Sequence, residues 1–194
     1  QTCALPISFP WYPVVLLMLV TVSEPIAVTL LFPFAPVMVA SWVPENVVGV
    51  YAGLLASTYN FASFLSNVLW GRASDRFGPL PTMALMLICG AVSLVAFGCS
   101  TSIEQAYITR ACGGLFAGVG TCSRSCMRDI TVKSNRGRAF ALIGWSWAFG
   151  MLGGPVAGGL LAQPAERLPF LRGTVFDTFP YLLPCAAATI VYAV

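Results

Sequence analysis

The chain of 194 residues is 58% hydrophobic and 9% charged, carries a formal net charge of +3 and contains no histidine. A soluble globular domain carries about 25% charged residues, so this composition excludes an ordinary soluble domain. The absence of histidine excludes a zinc site built on imidazole within this sequence. No basic stripe or aromatic RNA-binding motif points to nucleic acid.

Long segments without charged residues predict an all-α membrane protein with six spanning helices. About 20 mostly apolar residues are needed to cross a bilayer as a helix, and glycine and proline are frequent inside such helices. The sequence lacks the alternating segments of about ten residues that a membrane barrel requires. The predicted spans cover residues 14–40, 47–70, 80–99, 104–126, 138–161 and 178–194.

The two ends of the sequence lead us to expect a fragment of a longer membrane protein. The chain starts with Gln1, and Val194 lies only about 16 residues into the sixth span, which reaches ~24 Å of a ~30 Å bilayer core. The first span is not a secretory signal, because no basic residue precedes it and it is too long.

Basic residues predict the topology. The loops near 71–79 and 124–137, with Arg138 at the edge of the second, hold seven basic residues, whereas the opposite loops hold only Arg167 and Arg172. Because loops rich in Lys and Arg stay in the cytoplasm, these two loops and the N-terminus are predicted to be cytoplasmic.

Two charged residues lie inside predicted spans. Glu24 is in the first span and Arg110 is in the fourth. A charge at the bilayer centre costs at least ~2.5–3.5 kcal/mol, so we expect the two to face a cavity and to pair directly or through water. Desolvation favours a neutral carboxyl and a nearby guanidinium favours an ionised one, which suits a proton carrier. A permanent structural ion pair and a substrate contact are the alternatives.

Two further features of the spans allow functional and structural interpretations. Polar and small residues repeat along one face of the second span, where they would line a water path that includes Asn60 or join neighbouring helices. The seven cysteines fit packing, and Cys122 with Cys126 alone makes a weak metal site, so no metal or other cofactor is expected. The repeating residues are Gly53, Ser57, Asn60, Phe64 and Asn67.

The segment between the second and third spans carries a motif. Its residues resemble the G-x-x-x-D-R-x-G signature of the major facilitator superfamily, which forms a cytoplasmic gate in that family. The matching residues are Gly71, Asp75, Arg76 and Gly78. The family usually continues with basic residues, whereas Pro79, Leu80 and Pro81 follow here.

The fifth span carries a second motif. Glycines spaced four residues apart allow another helix to approach closely, and the proline among them bends the helix. The string also resembles the G-P-x-x-G-G motif of proton-coupled antiporters in the same superfamily. The residues are Gly150, Gly154, Pro155, Gly158 and Gly159.

Three weaker matches occur in the family's order. Arg110, Gly113 and Gly114 resemble the R-x-x-Q-G motif with glycine in place of glutamine, and Pro33 with Pro36 resembles paired prolines near the end of helix one. Asp129 and Arg136-Gly137-Arg138-Ala139 resemble the link between helices four and five. Since the basic partner that Asp129 has in the family is missing, Arg76 or Arg136 is expected to replace it.

The resemblance implies the N-terminal six-helix half of a twelve-helix secondary transporter, most like zinc-induced-facilitator-like proteins and multidrug:proton antiporters. It implies alternating access, in which a proton on Glu24 drives a small solute the other way. The expected partners are membrane lipid, the solute, protons and the C-terminal half, without which this fragment should be inactive. A sensor or scaffold of transporter type is the alternative, an enzyme lacks any supporting residues, and either a plasma or a vacuolar membrane fits.

Overall fold

The computed structural model describes residues 9–164 and 179–192. Within these ranges the chain is helical and has no strand. The α-helices are α1 (Trp11–Thr29), α2 (Ala35–Ala40), α3 (Val48–Phe77), α4 (Pro79–Gly98), α5 (Ile103–Leu115), α6 (Val119–Ile130), α7 (Arg136–Leu161) and α8 (Leu182–Tyr192), with a 3₁₀ helix at Glu45–Val47.

Four helical segments of the described chain are long and apolar enough to cross a membrane, namely Trp11–Thr29, Glu45–Phe77, Pro79–Gly98 and Arg136–Leu161. They agree with the first, second, third and fifth predicted spans, although the second continues to Phe77 rather than ending at residue 70. The sixth prediction corresponds to α8, and its residues 178, 193 and 194 lie outside the described residues.

Two predicted spans are broken. The first consists of α1 and α2 with a turn at residues 30–34, where Pro33 has no N–H to continue the helix. The fourth consists of α5 and α6, separated by the non-helical residues 116–118. Gly113, Gly114 and Gly118 surround this second break, and glycine costs up to about 1 kcal/mol in a helix relative to alanine.

Helix α1 lies in the middle of the bundle, where it contacts α6, α7 and α8, while α3 packs mainly on α5. One buried apolar cluster includes Leu30, Phe34 and Phe97, and a second includes Val14 and Met127. The outer surface carries many exposed large apolar side chains, as expected for helices that face lipid.

Candidate functional site

The break in the fourth span exposes backbone groups in the interior of the bundle. The last carbonyls of α5 and the first amides of α6 have no partner within their own helices. In a membrane such groups must be satisfied by neighbouring protein, because lipid offers no hydrogen bonds. The residues that satisfy them therefore define a polar centre within the apolar bundle.

Helix α3 satisfies the carbonyls at the end of α5. Three of its side chains donate hydrogen bonds there: Ser66 Oγ to Gly114 O at 3.3 Å, Trp70 Nε1 to Leu115 O at 2.6 Å, and Ser63 Oγ to Ala117 O at 3.5 Å. A Cβ at Gly114 would overlap the backbone of Tyr59, so only glycine allows this close approach. The C-terminal end of α5 is thus fixed to α3.

Helix α1 satisfies the start of α6 through Glu24. The half-buried carboxylate accepts a hydrogen bond from the Gly120 N–H, with 2.7 Å between Oε2 and N. Gly120 is the second residue of α6, and the N-terminus of a helix carries a partial positive charge that favours an anion. Glu24 therefore caps α6 from another helix.

Arg110 lies in a separate buried environment. Its side chain is 4% exposed, and Nη1 donates to the Ala27 carbonyl of α1 at 3.1 Å. The guanidinium lies 4.6 Å from the Phe97 ring centroid and 5.4 Å from that of Tyr59, which are cation–π distances. Within the described ranges, Arg110 Nε is the one buried side-chain nitrogen or oxygen without a hydrogen bond.

Glu24 and Arg110 do not form the direct ion pair that was one of the two predicted arrangements. No ion pair is found among the residues that the structure describes, and each of the two side chains bonds to backbone instead. The direct pair is thus replaced by two separate contacts, both of which involve α1, and the arrangement through water stays a prediction.

Most of the polar face of the second span, including Asn60, makes no contact with Glu24 or Arg110. Asn60 is exposed, and its Nδ2 donates to Ala56 O of the same helix at 3.0 Å. Gly53, Ser57 and Phe64 are also exposed. Only Asn67 of this face joins two helices, because its Oδ1 accepts from the Thr121 hydroxyl of α6 at 3.0 Å.

The gate motif is helical rather than a loop, which corrects the sequence interpretation. Gly71, Asp75 and Arg76 lie in the last turns of α3, and Gly78 alone forms the connection to α4. Gly78 has φ of 92°, a conformation that glycine adopts without strain. Asp75 is exposed near the end of α3.

The expected partners of Asp129 make other contacts. Arg136 donates to the Arg128 carbonyl at 3.1 Å and to the Thr131 carbonyl at 3.4 Å, so it caps the C-terminal end of α6. The Arg76 guanidinium lies 5.4 Å from the Phe77 ring centroid. Neither arginine pairs with Asp129 in the described part of the chain.

The glycines of the fifth span form the contact with α1. A Cβ at Gly154 would overlap the Thr29 hydroxyl, one at Gly150 would overlap Pro25, and one at Gly158 would overlap the Leu30 carbonyl. The neighbouring Gly159 is less crowded, and its Cβ would meet only Pro33 at ordinary distance. Pro155 lies inside α7. The spacing thus predicted a close helix contact correctly.

Cysteines and carboxylates do not gather into a metal site within the described ranges, where no three potential ligands lie together. Cys122 is buried, and Cys126 is half-buried. Both residues occur on α6, and Cys122 packs in the second apolar cluster with Met127.

The family model of the Major Facilitator Superfamily matches residues 17–176, which is most of the chain. The chain belongs to the major facilitator superfamily. It is an integral, multi-pass membrane protein with the all-helical fold of that family's N-terminal half.

Curated relatives agree with this assignment. The chain is 36% identical over 95% of its length to the major facilitator superfamily multidrug transporter mfsB of Aspergillus fumigatus. It is 29% identical over 94% to ZINC INDUCED FACILITATOR-LIKE 1 of Arabidopsis thaliana, and 29% identical over 88% to the class H tetracycline resistance protein of Pasteurella multocida. These matches cover 32%, 39% and 42% of the three relatives, and the branch predicted from the sequence is confirmed.

A solved structure shows the same fold. The human organic anion transporter MFSD10 (TETRAN) superposes with a TM-score of 0.69 over 95% of this chain and 47% of its own, at 22% identity. At this identity the likeness concerns the fold alone.

Several residues of the site carried no signal in the sequence. Gly120, Ser63 and Ser66 act through hydrogen bonds that involve backbone groups, and Trp147 lies close to the Gly120 backbone beside Glu24. The glycines around residues 116–118 were the only available indication of a broken helix.

Proposed function

We propose that this chain is part of a secondary transporter that exchanges a small solute for protons by alternating access. Membership in a transporter family and the transporter names of its relatives support the coarser part of this proposal. The observation that carries the finer part is the hydrogen bond from the α6 amide of Gly120 to the Glu24 carboxylate of α1.

The cap on α6 offers a way to couple protonation to movement. An ionised carboxylate is stabilised at a helix N-terminus, whereas a protonated one loses most of that attraction. Helix α6 is joined to α5 through the non-helical residues 116–118, and α5 is fixed to α3 by the Ser66 and Trp70 hydrogen bonds. Proton uptake on Glu24 would therefore free α6 while α5 stays in place.

The names of the relatives suggest the direction of transport and the kind of solute. They include a multidrug transporter, a tetracycline resistance protein and the efflux pump azaK of Aspergillus niger. We therefore propose that the complete transporter exports a drug-like organic solute while protons enter.

The complete transporter would need a second set of helices to close the cavity. The chain spans 32%, 42% and 34% of these three curated relatives. In such transporters the solute site lies near the membrane midplane between two halves. The exposed face of α3 that contains Ser57 and Asn60 is a surface that the rest of the protein would cover.

Transport by the full-length protein in proteoliposomes tests this proposal. The probe is the labelled drug that the wild type accumulates under an imposed proton gradient, and screening begins with tetracycline. We expect Glu24→Gln to abolish accumulation and retain solute exchange, because the amide keeps the shape but cannot bind the proton. The control Glu45→Gln, at an exposed carboxylate just before α3, should behave as wild type.

Two outcomes would contradict the proposal. If Glu24→Gln accumulates solute with wild-type dependence on pH, Glu24 is not the proton site. Binding of the probe without movement in the wild type would favour the sensor alternative.

A further inference from the structure

A pocket lies between α6 and α7. It has a volume of about 270 Å³. Its α7 wall repeats at spacings of three and four residues, so these side chains share one helix face. The lining residues are Arg124 from α6 and Phe140, Ile143, Gly144 and Trp147 from α7.

Arg124 is the charged group of this pocket. It is exposed and makes no hydrogen bond, ion pair or ring contact with any residue that the structure describes. By contrast, Arg136 bonds two carbonyls, and the Arg138 guanidinium lies 4.8 Å from the Trp11 ring centroid. An exposed guanidinium without such contacts can bind an anion, and its planar fork suits a carboxylate or sulfonate.

The α7 wall supplies flat apolar surfaces. Phe140 is exposed and Trp147 is half-buried. Between them, a Cβ at Gly144 would meet open space, so the glycine leaves room for a ring. Aromatic side chains favour offset or edge-to-face contacts with another ring.

We propose that this pocket binds a planar aromatic anion, with Arg124 holding the carboxylate or sulfonate and with Phe140 and Trp147 contacting the ring. The proposal rests on the proposed function, since it names the class of the transported solute. Trp147 also lies close to the Gly120 backbone, which Glu24 caps, so the pocket adjoins the proposed proton site.

Binding of three probes to the full-length protein tests the pocket. The probes are 2-naphthoate, its neutral counterpart 2-naphthalenemethanol, and the non-aromatic anion cyclohexanecarboxylate, each titrated by calorimetry in phosphatidylcholine nanodiscs. We expect the wild type to bind 2-naphthoate at least tenfold more tightly than either other probe, because only this probe satisfies both the guanidinium and the aromatic wall.

Two variants separate the charge from the ring. Arg124→Gln should weaken 2-naphthoate at least tenfold and leave 2-naphthalenemethanol within twofold. Trp147→Leu should weaken both naphthalene probes and leave cyclohexanecarboxylate within twofold. The matched controls Arg128→Gln on α6 and Trp145→Leu on α7, both exposed and outside the pocket, should bind 2-naphthoate as wild type does.

The outcomes distinguish this pocket from the proposed function. Proton-driven transport of a drug without binding of 2-naphthoate would overturn the pocket and leave transport standing. Specific binding without any transport would support the pocket and contradict the transporter. If nanodiscs with phosphatidylglycerol abolish the difference between wild type and Arg124→Gln, Arg124 binds a lipid headgroup and the solute proposal is wrong.

Discussion

Helix α1 contacts α7 and α6 in two different ways. Against α7 it packs through the glycines around Gly154, where the backbones meet and the Thr29 hydroxyl donates to the Gly150 carbonyl at 3.4 Å. Against α6 it uses one hydrogen bond from Gly120 to a carboxylate that can bind a proton. We propose that α1 stays packed against α7 while protonation of Glu24 releases α6.

The largest effect should come from filling the contact with α7. We expect Gly154→Leu to cost at least ~3 kcal/mol of stability, since its side chain would displace the Thr29 hydroxyl and the α1 backbone. Gly153→Leu is the matched control, because a Cβ there meets open space, and should change stability by about 0.5 kcal/mol at most. Thermal unfolding in detergent measures both variants, and equal effects would show that α1 does not depend on this packing.

Arg110 should be the next most sensitive position. Arg110→Lys replaces a planar guanidinium between two rings, and we expect a loss of about 2 kcal/mol from the cation–π and charged hydrogen-bond contacts. Arg138→Lys is the control, because exposed ring contacts such as those of Arg138 with Phe9 and Trp11 contribute about 0.5–1 kcal/mol. A lysine variant as stable as wild type would mean that the ring contacts contribute nothing.

A smaller effect should follow from removing a bond that holds α5. Ser66→Ala leaves the Gly114 carbonyl with one partner fewer, and we expect a loss of about 1 kcal/mol. The control is Ser57→Ala, at an exposed serine of the same helix. If both substitutions are neutral in thermal unfolding, α5 is held by packing rather than by these hydrogen bonds.

The smallest effect on stability should be at Asp75. Its side chain is exposed and has no hydrogen bond with the described residues, so Asp75→Asn should change stability by about 0.5 kcal/mol at most. We still expect the variant to transport less, because the family motif places a gate here. A large loss of stability would show instead that Asp75 supports the fold of this half.

The sequence predicted the spans and the α1–α7 packing because both depend on repeated patterns of apolar or small residues. It could not predict that the fourth span breaks, since a non-helical link of three residues barely changes the hydropathy of a segment. It also paired Glu24 with Arg110 because opposite charges in lipid need partners. In the structure each has a backbone partner, Gly120 for Glu24 and Ala27 for Arg110. Such partners cannot be recognised in a sequence, because almost every residue type carries the same backbone groups.

Amide hydrogen exchange of residues 116–124 tests most directly whether the charge of Glu24 holds α6. At one fixed pH, Glu24→Gln should speed exchange of this segment about fivefold over wild type. The reason is that a hydrogen bond to a charged acceptor is more stabilising than one to a neutral acceptor by about 1 kcal/mol. Exchange in α7, which packs on α1 through its glycines, should not change. Equal exchange of residues 116–124 in the two proteins would contradict the account.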